Sequence, residues 1–562
     1  MTAGNQATGA EAMVRLLAAH DVRHIFGLCG DTSLPFYDAL ARLDHPMTHI
    51  LTRDERHAAY MADAYARVTG RVGICEGPSG GGATYILPGV VEANESSVPI
   101  IAITTDVATS SAGRFPLTEL DQEALYRPLT KWNALIRSSG LLPRVVRKAF
   151  REASAGRPGA CHLGLPFDVQ KGSVEEAEIW ADARYGRFPA LPAGPDPAEV
   201  ERLLAALLSA RAPVMICGGG VVLAGAEAAL AALAERLDLA VCTTVSGQGA
   251  LAETHPNCVG VVGSNGGQPA TRAVVDEADL VLFIGCRAGS VTTERWRSPP
   301  PSARILHIDN DPAAIGACYA TEAAVSADAR LALEALLEAL GDRKAGFGGA
   351  TRAAKAKADK WRDFNKLSES AESPIKPERV IATLNRLLPE DAVICADPGT
   401  PCPYFSAWYE WPRAGRHFIT NRAHGALGYA MGASVGAQIG RPDAKVVCAM
   451  GDGSFGMSVG ELETVVRLGL PITFVVFSNS VYGWIKAGQK SGFDARYFSV
   501  DFSRTDHAAV AAAYGLKSWR VEDPGALEGA LKAAIVHEGP TLVDVIAQPL
   551  QDTAAPVSEW VA

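Results

Sequence analysis

The sequence predicts an α/β protein built from three doubly wound parallel-sheet domains, and three observations lead there. At about 150 residues per domain, a chain of 562 residues holds three or four domains and is not a single small module. Short apolar runs rich in Val and Ile repeatedly precede a Gly or Asp loop and then an Ala/Leu/Glu/Arg stretch of helical period. This is the rhythm of parallel strands joined by crossover helices. The rhythm falls into three blocks separated by stretches without an apolar period. Gly and Pro, 55 and 34 residues, are spread without a collagen-like period or a low-complexity block, which argues against fibre and disorder. The blocks share a layout but no residue-level repeat, so they are related domains and not a solenoid.

The first block covers residues 8–174. The connection Glu175 to Ala193 carries Pro189 and Pro192 among mixed polar residues and reads as a linker. The second block, 195–341, contains the strand-like Val214 to Cys217. A connection rich in Lys, Arg, Ala and Ser follows, from Arg343 to Pro377. Within it, Arg352 to Leu367 reads as an exposed helix and Ser368 to Pro377 as a turn-rich boundary. The third block is 375–550.

Acidic residues outnumber basic ones, 62 to 52, and the formal charge of -10 repels a phosphate backbone, so nucleic acid is not an expected partner. The eleven cysteines stand singly, with no CxxC pair and no zinc spacing. They read as reduced, buried small hydrophobes of a cytosolic protein. Met1 to Ala12 lacks a basic region followed by an apolar stretch, and no run approaches about 18 uninterrupted apolar residues. A cytoplasmic protein without a membrane partner is expected.

The most informative stretch is Asp443 to Tyr482. Lys445 to Met450 reads as a strand, Gly451-Asp452-Gly453-Ser454 as a loop, Ser458 to Leu468 as a helix, and Ile472 to Phe477 as a second strand closely followed by Asn479. In such a βαβ unit the strands are parallel, so Asp452 and Asn479 emerge on the same edge of the sheet, where ligand sites form. One carboxylate, one amide oxygen and a nearby backbone carbonyl make a hard oxygen set that suits magnesium and leaves positions for phosphate oxygens. Gly451 and Gly453 let the backbone approach a diphosphate, and the following helix N-terminus favours its charge. Taken alone, the GDGS stretch reads equally as a tight turn, with Asn479 as a strand-end cap.

The spacing of 27 residues from Asp452 to Asn479 matches the pattern of thiamine diphosphate enzymes. Over nearly its whole length the chain resembles the acetolactate synthase, pyruvate oxidase and pyruvate decarboxylase group, and in particular acetolactate synthase large subunits. That resemblance implies a pyrimidine-binding domain, a central domain and a diphosphate-binding domain for the three blocks. It implies that Asp452, Asn479 and the carbonyl of Val481 hold magnesium. Asp397-Pro398-Gly399-Thr400, after the strand Ala392 to Ala396, sits where the family's loop touches the diphosphate. Gly425-Ala426-Leu427-Gly428 takes the place of the segment that grips the aminopyrimidine, with Leu427 as the bulky residue behind the bent cofactor. Gly451, Gly453, Ser454, Tyr482 and Gly483 are assigned to cofactor binding with them.

Thr52 to Arg67, after the strand-like His49 to Leu51, reads as a strand entering a helix. Thr52 with Glu55 three residues later has the form of a capping box, in which Glu55 bonds a free backbone N–H. The segment also resembles the family's stretch that sets a glutamate against the pyrimidine ring, which makes Glu55 the candidate for starting the chemistry. A carboxyl there is screened from water and its pKa is expected to rise. Gly77 to Thr84 matches the family's glycine-rich turn, with Gly80 and Gly81 beside the cofactor; without the family it reads as a flexible turn. Gln122, in Leu120-Asp121-Gln122-Glu123, either faces the substrate or opens a solvated helix. Asp31, in the turn after the first strand, matches a proton-relaying aspartate of the decarboxylase-like members, or is a surface turn residue.

Neither subgroup pattern is complete. The decarboxylases' adjacent His-His pair is missing near Gly113 to Leu117, and Ile485 stands at their late glutamate. Gly488 replaces the acetolactate synthase tryptophan, and Arg287-Ala288-Gly289-Ser290 replaces its Arg-Phe-Asp-Asp run. His57, His424, Tyr482 and Trp484 either line the pocket or pack. In the central block, Cys217-Gly218-Gly219-Gly220 and Ile308-Asp309-Asn310-Asp311-Pro312 resemble nucleotide-binding loops, which leaves FAD as an alternative that is not favoured. The resulting expectation is a thiamine diphosphate- and magnesium-dependent 2-oxo acid decarboxylase or carboligase, forming an enamine after loss of carbon dioxide and acting as a homodimer or homotetramer. The competing class is a nucleotide-binding protein without thiamine chemistry.

Overall fold

The computed structural model describes residues 6–560; the first five residues of the Met1 to Ala12 stretch lie outside them. The chain packs as two units. One holds the described residues up to Leu191 together with Asn421–Pro442 and Val459–Leu468. The other holds Pro192–Thr420, Asp443–Ser458 and the chain from Gly469 onward. Three six-stranded sheets, all parallel, confirm the predicted α/β class.

In the first unit β1 (Gln6–Thr8) pairs antiparallel with β8 (Ser173–Glu175) beside the main sheet. The main sheet is formed by β2 (His24–Gly27), β3 (Thr48–Leu51), β4 (Gly73–Gly77), β5 (Ile100–Asp106), β6 (Trp132–Leu135) and β7 (Cys161–Pro166), in the order β3-β2-β4-β5-β7-β6. Every residue of β5 is buried, so its near-continuous apolar run is what a parallel strand covered on both faces requires. The strand order reverses between β2 and β4, which opens a crevice at their carboxyl ends. The predicted linker is not loose: Gly186 accepts from Val72 N–H, Phe188 N–H donates to Gly70, and Phe188 is buried.

In the second unit the central sheet holds β9 (Pro213–Cys217), β10 (Ala240–Thr243), β11 (Cys258–Val261), β12 (Leu280–Ile284), β13 (Arg304–Asp309) and β14 (Ala323–Ser326), ordered β11-β10-β9-β12-β13-β14. The helix expected at Arg352 to Leu367 spans Gly349–Ser368. It is not exposed all round: Ala353, Ala356, Lys360 and Phe364 recur at helical spacing and are buried. Lys360 meets the buried Glu253 at 3.6 Å, a pairing that allows a charge to sit on the buried stripe.

The third sheet holds β15 (Val393–Ala396), β16 (Phe418–Thr420), β17 (Val446–Gly451), β18 (Thr473–Ser478), β19 (Lys517–Val521) and β20 (Thr541–Ile546), ordered β16-β15-β17-β18-β20-β19. Its order reverses between β15 and β17. Two cysteines depart from the buried, apolar expectation. All eleven are free thiols, but Cys29 and Cys318, both in loops, are exposed. Among the described residues no helix is long and apolar enough to cross a membrane.

Candidate active site

In the first unit the predicted residues gather at the carboxyl edge of the sheet. β2 leads to the Asp31 turn, β3 to Glu55, β4 to Gly80 and Gly81, and β5 to the short helix that Gln122 opens. Thr52 is no helix cap: its N–H and its hydroxyl both donate to the Gly27 carbonyl, at 2.9 and 3.3 Å. Asp54 caps the Glu55–Thr69 helix instead, accepting from Arg56 N–H at 2.8 Å, and Gly70 ends it at φ +68°. The capping-box alternative for Glu55 is thereby removed.

Glu55 is 8% exposed and its carboxyl lies in the glycine-rich turn. A Cβ on Gly82 would stand 3.3 Å from its Oε1, and one on Gly77 would stand 3.5 Å from its Cγ. Burial pushes the carboxyl above the ordinary range, and the charges of Asp54 and Glu76 act in the same direction. Gly80 holds φ +68° there, against Thr118, a conformation for which glycine is suited.

Asp31 is exposed and accepts the Thr32 N–H at 2.8 Å, the geometry of a turn aspartate. Gln122 is buried, so the solvated helix start is ruled out. Its Oε1 accepts from the Thr104 hydroxyl and its Nε2 donates to the Thr105 carbonyl at 3.0 Å, so both ends of the amide hold the last turn of β5. Asp106, at the end of that strand, is pushed up to about 6 by burial. His57 is buried against Tyr60 and Gly432. Burial lowers its pKa to about 4, which marks it as a neutral packing residue. The Asn421 side chain donates to the Ala426 carbonyl at 2.6 Å, with Gly425 and Gly428 at φ +74° and +89° and Leu427 half-buried between them.

Three buried glutamates of this unit were missed in the sequence. Glu461 accepts from Arg53 N–H at 2.7 Å and from the Thr464 hydroxyl at 2.8 Å, and burial pushes it up to about 7. Glu92 accepts backbone N–H groups of the segment that starts at Arg422. Glu76 receives the Tyr37 hydroxyl and lies 3.3 Å from His49, all through Oε1, while Oε2 has no hydrogen-bond partner. Only Glu76 left a signal, as a lone acid at the end of the apolar run Gly73–Gly77.

In the second unit, Gly451 of β17 stands beside Phe477 of β18, so Asp452 and Asn479 leave the sheet at neighbouring positions. The helix there begins at Asp452, not Ser458, so the GDGS stretch is a strand end and a first helical turn, not a loop. Asp452 is buried; its Oδ2 accepts from Asn479 N–H at 2.8 Å and Ser480 N–H at 2.6 Å, and its Oδ1 accepts from Gly453 N–H at 3.0 Å. Burial raises its pKa, and these N–H groups oppose the rise. Ser480 turns the chain at φ +59°, and the Val481 carbonyl accepts Gly483 N–H at 2.9 Å. Asp397, Gly399 (φ +98°) and Thr400 lie at the neighbouring end of β15, on the other side of the strand reversal.

Gly453 is required by close approach, since a Cβ there would lie 2.8 Å from the Tyr482 ring, which packs on Phe502. Trp484 meets Trp560 edge to face and donates to its carbonyl at 3.0 Å, and Trp560 also lies beside Gly488. Among the described residues no group of three or more His, Cys, Asp or Glu is placed to hold a metal. Asp452, Asn479 and the Val481 carbonyl leave one sheet edge, and a carboxylate, an amide and a backbone carbonyl are residue types that could hold a hard cation.

The central glycines have a packing cause. A Cβ on Gly218 would come 2.2 Å from the Gly285 carbonyl oxygen, and one on Gly220 would come 2.7 Å from the Gly285 Cα. Gly220 N–H already donates to Gly285 at 3.0 Å. Close contact between two strand-end loops gives these glycines a packing cause.

Three family descriptions match the chain. Residues 7–125 match the thiamine pyrophosphate enzyme N-terminal TPP binding domain, 200–336 the central domain, and 399–545 the C-terminal TPP binding domain. A probable acetolactate synthase large subunit of Methanococcus aeolicus is 34% identical over 557 residues, covering 96% of this chain and 92% of the relative. The acetolactate synthase isozyme 3 large subunit of Escherichia coli is 32% identical over 531 residues, covering 94% and 92%. That of Parasynechococcus marenigrum, an acetolactate synthase large subunit, is 34% identical over 543 residues, covering 96% and 87%. With these likenesses spanning nearly the whole chain, the protein belongs to the thiamine pyrophosphate enzyme family, as a relative of acetolactate synthase large subunits.

Proposed function

We propose that the protein is a magnesium- and thiamine diphosphate-dependent decarboxylase or carboligase of 2-oxo acids, acetolactate synthase-like in its chemistry. The observation that carries this reading is the arrangement at Asp452, whose buried carboxylate gathers the Asn479 and Ser480 N–H groups. A fixed anion, an amide oxygen and the Val481 carbonyl thus share one sheet edge. Asp452, Asn479 and the Val481 carbonyl would hold the ion. Gly451, Gly453 and Ser454, with Asp397, Gly399 and Thr400 across the strand reversal and with Tyr482 and Gly483, would receive the diphosphate. When bound, thiamine diphosphate supplies the electron sink for loss of carbon dioxide.

Glu55 is the group that would exchange a proton with the pyrimidine ring of the bound cofactor. Its burial among carboxylates keeps that proton at a higher pH than an exposed carboxyl would. Gly425, Ala426 and Leu427, with Gly80 and Gly81, shape the pyrimidine pocket. Gln122 keeps the end of β5 in place instead of touching substrate, and Asp31 is the residue free to relay protons from the surface. By family likeness the working form is a homodimer or homotetramer in the cytoplasm.

The test is to supply the purified protein with thiamine diphosphate and magnesium, to screen 2-oxo acids for carbon dioxide release beginning with pyruvate, and to record flavin absorbance. Release that needs both additions supports the reading. Bound thiamine diphosphate with no release from any 2-oxo acid overturns it.

A further inference from the structure

We propose that Glu92 is a positioning residue whose carboxylate clamps the segment beginning at Arg422 and so presets the Gly425 to Gly428 grip for the cofactor. The proposal rests on the reading of that grip as the pyrimidine-binding segment.

Glu92 lies in the Leu87–Glu95 helix and is fully buried. Its Oε1 accepts from Arg422 N–H at 3.2 Å, and its Oε2 from Ala423 N–H at 3.2 Å and His424 N–H at 2.7 Å. The Ser96 hydroxyl donates to Oε1 at 2.7 Å, and Arg67 stands 3.5 Å away. The other end of the segment is tied to the same cluster. Arg67 donates to both oxygens of Asp63 at 2.9 and 3.1 Å, and Asp63 accepts the hydroxyl of Tyr429, the residue after Gly428. Asp63 and Arg67 belong to the helix that Glu55 opens. One buried network therefore joins the helix of the candidate proton donor to both ends of the candidate cofactor grip.

Only a carboxylate fits this place. Three successive N–H groups of an irregular segment need acceptors, and an apolar side chain would leave them unpaired. A carboxylate offers about four acceptor sites and no donor. A glutamine of the same shape must aim an N–H₂ at one of the backbone N–H groups, whichever way its amide is turned. A buried charge is costly unless it is paired, and here it meets four donors and a guanidinium.

The experiment compares full-length wild type with Glu92→Gln, measuring amide hydrogen exchange at residues 422–424, thiamine diphosphate affinity in the presence of magnesium, and KM for the 2-oxo acid at saturating cofactor. The expected result is faster exchange and cofactor binding weaker by about tenfold, the loss of roughly one buried hydrogen bond, with substrate KM unchanged. A variant with a lower unfolding temperature but unchanged cofactor affinity and exchange would overturn the proposal. If Glu92→Gln does not fold, Tyr429→Phe removes only the hydroxyl on Asp63. It is expected to shift exchange and affinity in the same direction by less, and no shift in either overturns the proposal. Should the wild type bind no thiamine diphosphate, the cofactor reading falls, and exchange at 422–424 by itself decides whether Glu92 holds the segment.

Discussion

Glu55 sits where its charge is disfavoured, half surrounded by the glycine turn and near Asp54 and Glu76. Replacing it by glutamine keeps size and removes the proton. Glu55→Gln should fold and retain magnesium binding while kcat for 2-oxo acid decarboxylation falls by about 100-fold or more, the usual range for a lost acid–base group. Retained turnover would reject the assignment. Glu461 makes a separate prediction about pH. Its carboxyl, ordinarily near 4.5, is pushed up to about 7 in the folded protein. Below 4.5 the folded and unfolded forms are both protonated. Between 4.5 and 7 the native state holds a proton that the unfolded chain has lost, so stability is lost as pH rises through that window. Glu461→Gln should flatten this fall, which is on the order of 3 kcal/mol, and urea unfolding at fixed pH values across the window measures it.

Between elements, a stripe of glycines does the joining. Gly432, Gly436 and Gly440 recur every fourth residue on the Tyr429–Gly440 helix and face the Glu55–Thr69 helix. A Cβ on Gly432 would meet His57 and Tyr60 at 3.0 Å, one on Gly436 would meet the Met61 carbonyl oxygen at 2.1 Å, and one on Gly440 would meet the tips of Val68 and Thr69. The helix that carries Glu55 and the helix that follows Leu427 are thus set by backbone contact. Gly436→Ala must push the two apart and should cost about 1–3 kcal/mol in spite of alanine's better helix propensity. Gly440→Ala meets side-chain methyl groups and no backbone atom, and should cost less. Thermal unfolding of the two variants side by side checks the ranking.

For the whole molecule, anything that binds the folded state alone raises its stability by mass action. Thiamine diphosphate with magnesium at 100 times the dissociation constant should add about 2.7 kcal/mol, seen as a rise in unfolding temperature that a chelator reverses. Asp452→Ala should abolish the magnesium-dependent part of that rise. The three parallel sheets were legible in the sequence because strand and helix periods are local properties of apolar residues, and Asp452 with Asn479 was legible because a right-handed crossover puts successive strand ends on one edge. The capping-box reading of Glu55 fell only when Thr52 turned out to bond Gly27 and Asp54 to cap the helix. Gln122 was open between a substrate contact and a solvated helix start, because the sequence does not display which groups a side chain packs against. Glu92 and Glu461 left no trace in sequence, since their partners lie 330 and 408 residues away. By itself, then, the sequence determined the α/β class, its three parallel sheets and the residue types at the sheet edges. Tertiary structure alone decided which carboxyls are buried, in which direction their pKa moves and which backbone they grip, because desolvation depends on neighbours brought together from across the chain.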